Sequence, residues 1–374
     1  MSMIDPQTTR LLREGRARLT RFYRYYGNVG SLLQRVKFHK LRREFYKDLW
    51  SKAAKNVGAT WEPWHGGYNK ICRDGMMVPV YLTQVNLNSI LLDKILLDKE
   101  MTQDLLGQYG HPIPQNATFN MQEYAKAEAF FEKHRNVVVK PAGDAAGGGG
   151  VTTNITDVEA LKVAAKMATQ HSSKLLIEEF VEGDSYRLLY VGGKFVDAVL
   201  RGSPSVTGDG KHTIKQLIKF ENSRRLNEKP ISSLQSLQVD GECRSTLKKQ
   251  GLDLSSIPEK GDVIVVKRAV NASSASQNHN VIDDVHPETI EIGAAIMRDL
   301  NIELGGIDVQ TTDISKTLEE TRGRILEINS PPGIHHHYFL ADRDRGQPIA
   351  ELLLEYMFTN AAGVIHLPKG PSGT

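Results

Sequence analysis

Cysteine is nearly absent. The 374 residues contain only Cys72 and Cys243, far apart and outside any CxxC spacing. This excludes a disulfide framework and a cysteine zinc site, and fits a reducing, cytoplasmic compartment. Net charge is small: 47 Lys and Arg stand against 44 Asp and Glu, a formal +3, which on its own leaves no electrostatic footprint for nucleic acid. The N-terminus, MSMIDPQTTRLLREGRARL, lacks the apolar core of a signal peptide. No uninterrupted apolar run approaches the ~20 residues of a membrane span. Neither a membrane nor a nucleic-acid partner is therefore expected. Two nucleotide-binding signatures are also missing. No GK[ST] closes a Walker A loop, and GxGxxG is matched only trivially by polyglycine, with no helix starting directly at the loop.

What is present is the balance of a globular protein, 40% hydrophobic and 24% charged, long enough for about two or three packed subdomains. Residues 6–58 read as helix with a break near Gly27 to Ser31. The first part carries Arg10, Arg13, Arg16, Arg18, Arg21 and Arg24 and reads as a solvated face or packing arm before a nucleic-acid surface. The second places Phe45, Leu49 and Ala53 at helical spacing, with Gly58 as a C-cap. Short strands follow from Trp61 to Val85, then one long helix over NSILLDKILLDKEMTQDLLGQYG, then a proline-containing linker. Beyond it, helices alternate with the strands NVVVKP, KLLIEEFV, VIVVKRAV, GGIDVQTTDI and GRILEINS, and SYRLLYVGGKFVDAVLR is a hairpin turning at Gly192-Gly193. Hairpins rather than helices join several strands, so the fold class is α+β.

Four segments carry chemistry. In the first, an apolar strand delivers Lys140 at its end, and Gly147, Gly148, Gly149 and Gly150 follow. Glycines let backbone N–H groups approach phosphate oxygens, and the lysine adds a point charge; the alternative is a flexible surface hairpin. In the second, an apolar strand runs into Glu178, Glu179, Phe180 and Val181, which suits an adenine edge or an edge strand with solvated acids. In the third, apolar strands are interrupted by Asp308, Glu327 and Asn329. These are hard oxygen ligands for magnesium, and the last two share a sheet face. The fourth is His335-His336-His337. Adjacent residues do not readily face one ion and no HExxH spacing supports zinc, so this is predicted to be a loop lining a substrate site.

The order of these segments resembles the ATP-grasp superfamily, most closely the ATP-grasp domain of cyanophycin synthetase and related amino-acid or peptide ligases. The likeness runs from about Arg42 to Met357 and is carried by LLDKEMTQDLLGQYGHPIP, VVVKPAGDAAGGGGVTTNI, EEFVEGDSYRLLYVGGKFVDAVLRGSPSVTGDGKHTIKQLI, NVIDDVHPETI, GGIDV and EINSPPG. It implies an ATP-grasp fold: a helical N-terminal region 1–58, a pre-ATP-grasp segment 59–114, a lid 115–200 and a C-terminal core 201–366. It implies ATP with one or two magnesium ions, manganese being a substitute. Lys99 and Lys140 would hold nucleotide phosphates, Gly147 to Gly150 would be the mobile loop, and Glu178 to Val181 the adenine hinge. Asp308, Glu327 and Asn329 would bind metal, while Arg187 and Arg268 would face substrate and transferred phosphate.

The chain also departs from that pattern. Ser185, beside Asp184, stands where a ribose-binding acid is usual. The glycine-containing substrate loop is replaced by Asn271-Ala272-Ser273-Ser274-Ala275-Ser276, so a different substrate is expected, held by Arg187, Asn271, Ser273, Ser274, His335 and His337. The Mur-ligase-like half of cyanophycin synthetase has no counterpart, and polymer synthesis of that kind is not expected. The implied activity is ATP-dependent ligation of a small-molecule carboxylate to an amine through an acyl phosphate, on amino-acid or small-peptide substrates. A kinase acting on a small-molecule hydroxyl is the alternative, and a homodimer is left open.

Overall fold

The computed structural model describes residues 29–142 and 150–368; the arginine-rich segment and Gly147 to Gly149 lie outside them. Helix α1 (Val29–Asn56) comes first. Phe38, Leu41, Tyr46, Trp50 and Ala53 recur every three to five positions and are buried, the stripe that helical geometry puts on one face. Gly58, at φ +69°, ends it, and the Ala59 N–H returns to the Ala54 carbonyl at 2.8 Å. Strands β1 (Thr60–Pro63), β2 (Asn69–Arg73) and β3 (Met76–Val80) form an antiparallel sheet beside it.

The long helix expected after Asn88 is two, α2 (Ile90–Leu97) and α3 (Lys99–Gln108). Asp98 divides them: its carboxylate accepts from the Glu100 and Met101 amides, both at 3.0 Å. Such a cap competes with the backbone bonds that would continue a single helix. Next come β4 (Asn116–Phe119), α4 (Tyr124–His134), β5 (Val137–Pro141), β6 (Thr152–Ile155), α5 (Val158–Ala168) and β7 (Leu175–Glu179). They make a sheet of order β4-β7-β5-β6 with its own core of Phe119, Phe131, Val137, Leu161 and Ile177.

The hairpin β8 (Asp184–Val191) and β9 (Lys194–Arg201) turns at Gly192 and Gly193, both at positive φ. A satellite unit follows: β10 (Ser205–Thr207), α6 (Ile214–Asn227), α7 (Gly241–Lys249) and β11 (Val263–Val265). The strand expected over VIVVKRAV pairs only at Val263–Val265. Then come β12 (Asn278–Asn280), α8 (Pro287–Asp299), β13 (Leu304–Thr311), the short α9 (Leu318–Thr321), β14 (Arg324–Asn329), α10 (Ile349–Thr359) and β15 (Ile365–His366). The core sheet has the order β12-β9-β8-β13-β14, and β15 returns to pair with β3.

The hairpin β8–β9 thus belongs to the core sheet. The lid sheet closes at residue 179, and the boundary expected at 200 cuts through the core. Burial decides this: Tyr186, Leu188, Tyr190 and Ala198 share a hydrophobic cluster with Ile296 and Met297 of α8, not with the lid. Among the described residues, no helix is long and apolar enough to cross a membrane.

Gly183 lies at the junction between lid and core with φ +112°, and a Cβ there would sit 2.2 Å from the Thr311 backbone. Gly183→Ala should therefore destabilise the protein by about 2 kcal/mol or more, read as a lowered urea midpoint. An unchanged midpoint would mean that this junction relaxes freely.

Candidate functional site

In an antiparallel sheet, directly opposed residues share a face, as do residues two apart. The register Val199↔Arg187↔Asp308↔Glu327 sets one row across the core sheet. Asp197↔Leu189↔Gly306↔Asn329 sets the next. Arg201, opposite Ser185, extends the same face. One sheet surface therefore presents Arg187, Arg201, Asp197, Asp308, Glu327 and Asn329.

Arg187 is buried and bidentate on Asp308: Nη2 donates to Oδ2 at 2.9 Å and Nε donates to Oδ1. Arg201 Nη1 lies 3.6 Å from Asp308 Oδ2. Burial opposes ionisation of Asp308, but the two guanidiniums outweigh it and hold the carboxyl below its ordinary range. Burial, with Arg187 alongside, pushes Arg201 down to about 10, so it stays cationic at neutral pH. A Cβ on Gly306 would come within 2.9 Å of Arg187 Cδ and 3.0 Å of Pro332 Cβ. That glycine gives the guanidinium its space.

The oxygen donors fit a hard cation. Asn329 touches Asp308, with Nδ2 donating to Oδ2 at 3.4 Å. Glu327 is half-buried and makes no hydrogen bond or ion pair among the described residues. A carboxylate with no direct partner among the described residues, beside an amide oxygen, suits magnesium, which takes oxygen ligands and few protein groups. Asp308, already gripped by Arg187, is the less available of the two carboxylates.

In the lid, Lys140 is buried at the end of β5 and pairs with Glu178 Oε2 at 2.6 Å. Gln103 of α3 donates to the same oxygen at 3.1 Å. The Glu178 carboxylate, expected at an adenine hinge, is thus the counter-ion of the lysine. The Glu179 carboxylate is also occupied: it accepts from the Gln115 amide at 3.1 Å, while its own amide returns to the Gln115 carbonyl at 2.9 Å. The Phe180 amide donates to the Asn136 carbonyl, leaving the Val181 amide as the hinge donor without a partner among the described residues. Lys99 starts α3, and its amide reaches the Ala142 carbonyl at 3.3 Å, just beyond Lys140. Gly150, at φ +78°, packs where a Cβ would meet His171 and Pro141. Asp184 is exposed and Ser185 half-buried at the start of β8.

Arg268 is placed apart from Arg187. Its side chain is exposed and lines a cleft of about 60 Å³ with Thr152 to Asn154 of β6 and Lys249 of α7. Lys249 Nζ donates to the Asn154 carbonyl at 2.6 Å and the Thr153 carbonyl at 3.2 Å, tying core to lid. Burial and the nearby Arg268 lower the Lys249 pKa. In the altered loop, the Ser274 hydroxyl is engaged with Gln277 and Ser276, and Ser273 Oγ is buried without a hydrogen-bond partner among the described residues. Asn271 sits in the adjacent 3-10 turn.

The histidine loop is a short 3-10 turn, Ile334–His337, and all its side chains are buried. His335 Nδ1 is 2.9 Å from the Tyr46 hydroxyl of α1. His337 Nδ1 is 2.7 Å from Asp197 Oδ2, and Asn280 Nδ2 donates to Asp197 Oδ1 at 2.7 Å. Sequence reasoning missed Asp197, Arg201, Gln103 and Asn280. Asp197 and Arg201 left one signal: they stand four apart in the apolar strand FVDAVLR and so share a face, as Glu327 and Asn329 do two apart.

The family model described as phosphoribosylglycinamide synthetase, ATP-grasp (A) domain, matches residues 97–199. The chain is 32% identical over 261 residues to cyanophycin synthetase of Crocosphaera subtropica, covering 69% of this chain and 30% of that protein. It is 27% identical over 276 residues to the glutathione biosynthesis bifunctional protein of Clostridium perfringens, covering 72% of this chain and 36% of that one. Among solved structures, the bifunctional glutathione synthetase from Pasteurella multocida superposes with a TM-score of 0.53 at 19% identity, covering 82% of this chain and 43% of that one. This chain spans about a third of the length of these curated relatives.

Burial, reinforced by nearby positive charge including Arg201 and Arg187, holds His335 and His336 well below the ordinary histidine range. Both are neutral when folded, whereas in the unfolded chain they take protons near about pH 6.5. Their contribution is complete above that value and is lost as pH falls below it, by up to ~1.4 kcal/mol per pH unit for each imidazole. The urea midpoint should fall between about pH 7.5 and 5, and fall less steeply in His336→Gln. Equal slopes would show that the ring takes its proton in place.

Proposed function

We propose that this chain, a member of the ATP-grasp superfamily, is an ATP- and magnesium-dependent ligase that joins a carboxylate to an amine through an acyl phosphate, on amino-acid or small-peptide substrates. One arrangement carries the reading: two buried arginines share a sheet face with the oxygen donors Asp308, Glu327 and Asn329. Guanidiniums beside a cation site are what a transferring phosphoryl group requires. The relatives are cyanophycin synthetase and glutathione-forming proteins by name, and support the same reading.

A carboxylate oxygen attacks the γ-phosphorus of ATP, and the bond to the ADP oxygen breaks. The amine nitrogen then attacks the acyl carbon, and the carbon–oxygen bond to phosphate breaks. Lys140, positioned by Glu178 and Gln103, and Lys99 hold the nucleotide phosphates. The Val181 amide, without a partner among the described residues, reads the adenine edge. Arg187, fixed by Asp308 and given room by Gly306, faces the transferring group with little reorganisation, and Arg201 lies beside it. Glu327 and Asn329, with Asp308, would hold magnesium or manganese, which neutralises phosphate charge. Arg268 and Lys249 act at the seam with the lid, whose closure excludes water from the acyl phosphate. The loop Asn271–Ser276 and the histidine turn line the substrate space. The two free cysteines suit a cytoplasmic setting.

ADP release should require a carboxylate and an amine together, with an amide product by mass. Glu327→Gln should lower that release at least about 100-fold while leaving the melting temperature near that of the parent. Full activity in this variant would remove the metal assignment, and ADP release with a phosphorylated hydroxyl product would replace the ligase reading by a kinase.

A further inference from the structure

The proposed ligation has an unmet requirement. An amine arrives protonated, and an ammonium has no lone pair to attack with. Balanced, an acyl phosphate dianion and an ammonium give an amide, hydrogen phosphate and one proton. The departing phosphate keeps one proton and a protein group must take the other.

Asp197 and His337 form a fully buried pair. Both Asp197 oxygens are engaged, Oδ2 by His337 Nδ1 at 2.7 Å and Oδ1 by Asn280 Nδ2 at 2.7 Å. A carboxylate only accepts, so the Nδ1–H donates to it, and in the neutral ring the Nε2 lone pair is left as an acceptor. That Nε2 is buried with no hydrogen-bond partner among the described residues. An orphaned buried acceptor of this kind costs free energy and calls for a missing partner. Asn278, two positions from Asn280 on the same face of β12, carries a second acceptor, Oδ1, that is buried without a partner among the described residues. Two unpaired acceptors on one side of the site suit an ammonium.

The sheet places this pair well. Asp197, Leu189, Gly306 and Asn329 lie in one row over neighbouring strands, so Asp197 stands roughly 14 Å across from the metal-ligand strand. Arg187 on β8 lies on the face between, and Arg201, from the same strand as Asp197, reaches to 3.6 Å from Asp308 Oδ2. Oxygen donors, then guanidiniums, then imidazole follow the order of metal and phosphates, acyl phosphate, and amine.

We propose that His337 is the general base of the amine-attack step, its Nε2 taking the ammonium proton while Asp197 and Asn280 fix the ring. This rests on the ligase reading and adds the residue that activates the nucleophile. The proton passes from nitrogen to Nε2 as the nitrogen–carbon bond forms, and is then released to water.

Hydroxylamine separates this role from the ligase reading itself. It is uncharged near neutral pH and traps acyl phosphates as hydroxamates without a base. The enzyme, with ATP and magnesium, is given the common amino acids as acid source, with either hydroxylamine or the same amino acids as amine. In His337→Gln, amide formation at neutral pH should fall 100-fold or more, while hydroxamate formation falls less than about threefold. Amide formation by the variant should also climb with pH where the parent levels off. Asp197→Asn, which releases the ring from its tautomer, should behave the same way. The proposal is overturned if both products fall together in both variants, or if amide formation is unchanged. Absence of hydroxamate from the parent with every acid would remove the ligase reading, and the base with it.

Discussion

The ion pair between Arg187 and Asp308, desolvated at the centre of the core sheet, constrains everything around it. Such a pair is held in place by what it would cost to break: one partner removed leaves the other buried and uncompensated, a loss of about 3–5 kcal/mol. Its geometry requires Gly306 beneath the guanidinium and cross-strand register between β8 and β13. It also brings Arg201 next to Arg187, so that two positive charges share Asp308 and one face. The same positive field, added to burial, keeps His335 and His336 neutral in the loop overhead.

This explains how charge is divided on the site. Asp308 is satisfied within the protein, whereas Glu327 has no direct partner among the described residues. Of the three acids on the face, Asp308 positions an arginine, Asp197 holds His337, and Glu327 is left for the proposed cation. Lys140 follows the same logic in the lid, where Glu178 fixes its ammonium and Gln103 fixes Glu178. Each cation proposed to meet phosphate, Lys99 and Arg268 excepted, is preoriented by a carboxylate one layer behind it.

Much of this was legible in sequence because it is local. The lysine at the end of VVVKP, the turn at Gly192-Gly193 and the alternation in LEIN are written within a few residues. What could not be read is what depends on strands meeting. That β8–β9 joins β13 rather than the lid follows from which core Tyr186 and Leu188 enter, and no spacing states it. Glu178 reads as a hinge acid until β5 and β7 pair and bring Lys140 against it. Asp197 finds His337 across a sequence separation of 140. The split of one helix into two needed the Asp98 side chain to turn back on the next turn's amides, a choice that a continuous apolar pattern conceals.

The paired bonds between Gln115 and Glu179 have a consequence for the chain's connectivity. The backbone leaves the core before β4 and comes back after β7 at one clasp, where the Glu179 amide donates to the Gln115 carbonyl and the Gln115 amide donates to the Glu179 carboxylate. Everything between is one contiguous excursion with its own hydrophobic cluster. Such a segment can move as a body without stretching the sheet it is grafted on once the Lys249 bonds to the Thr153 and Asn154 carbonyls and the Gln103–Glu178 contact give way. It can also lengthen, shorten or be exchanged for another of different reach while the strands on either side keep their register.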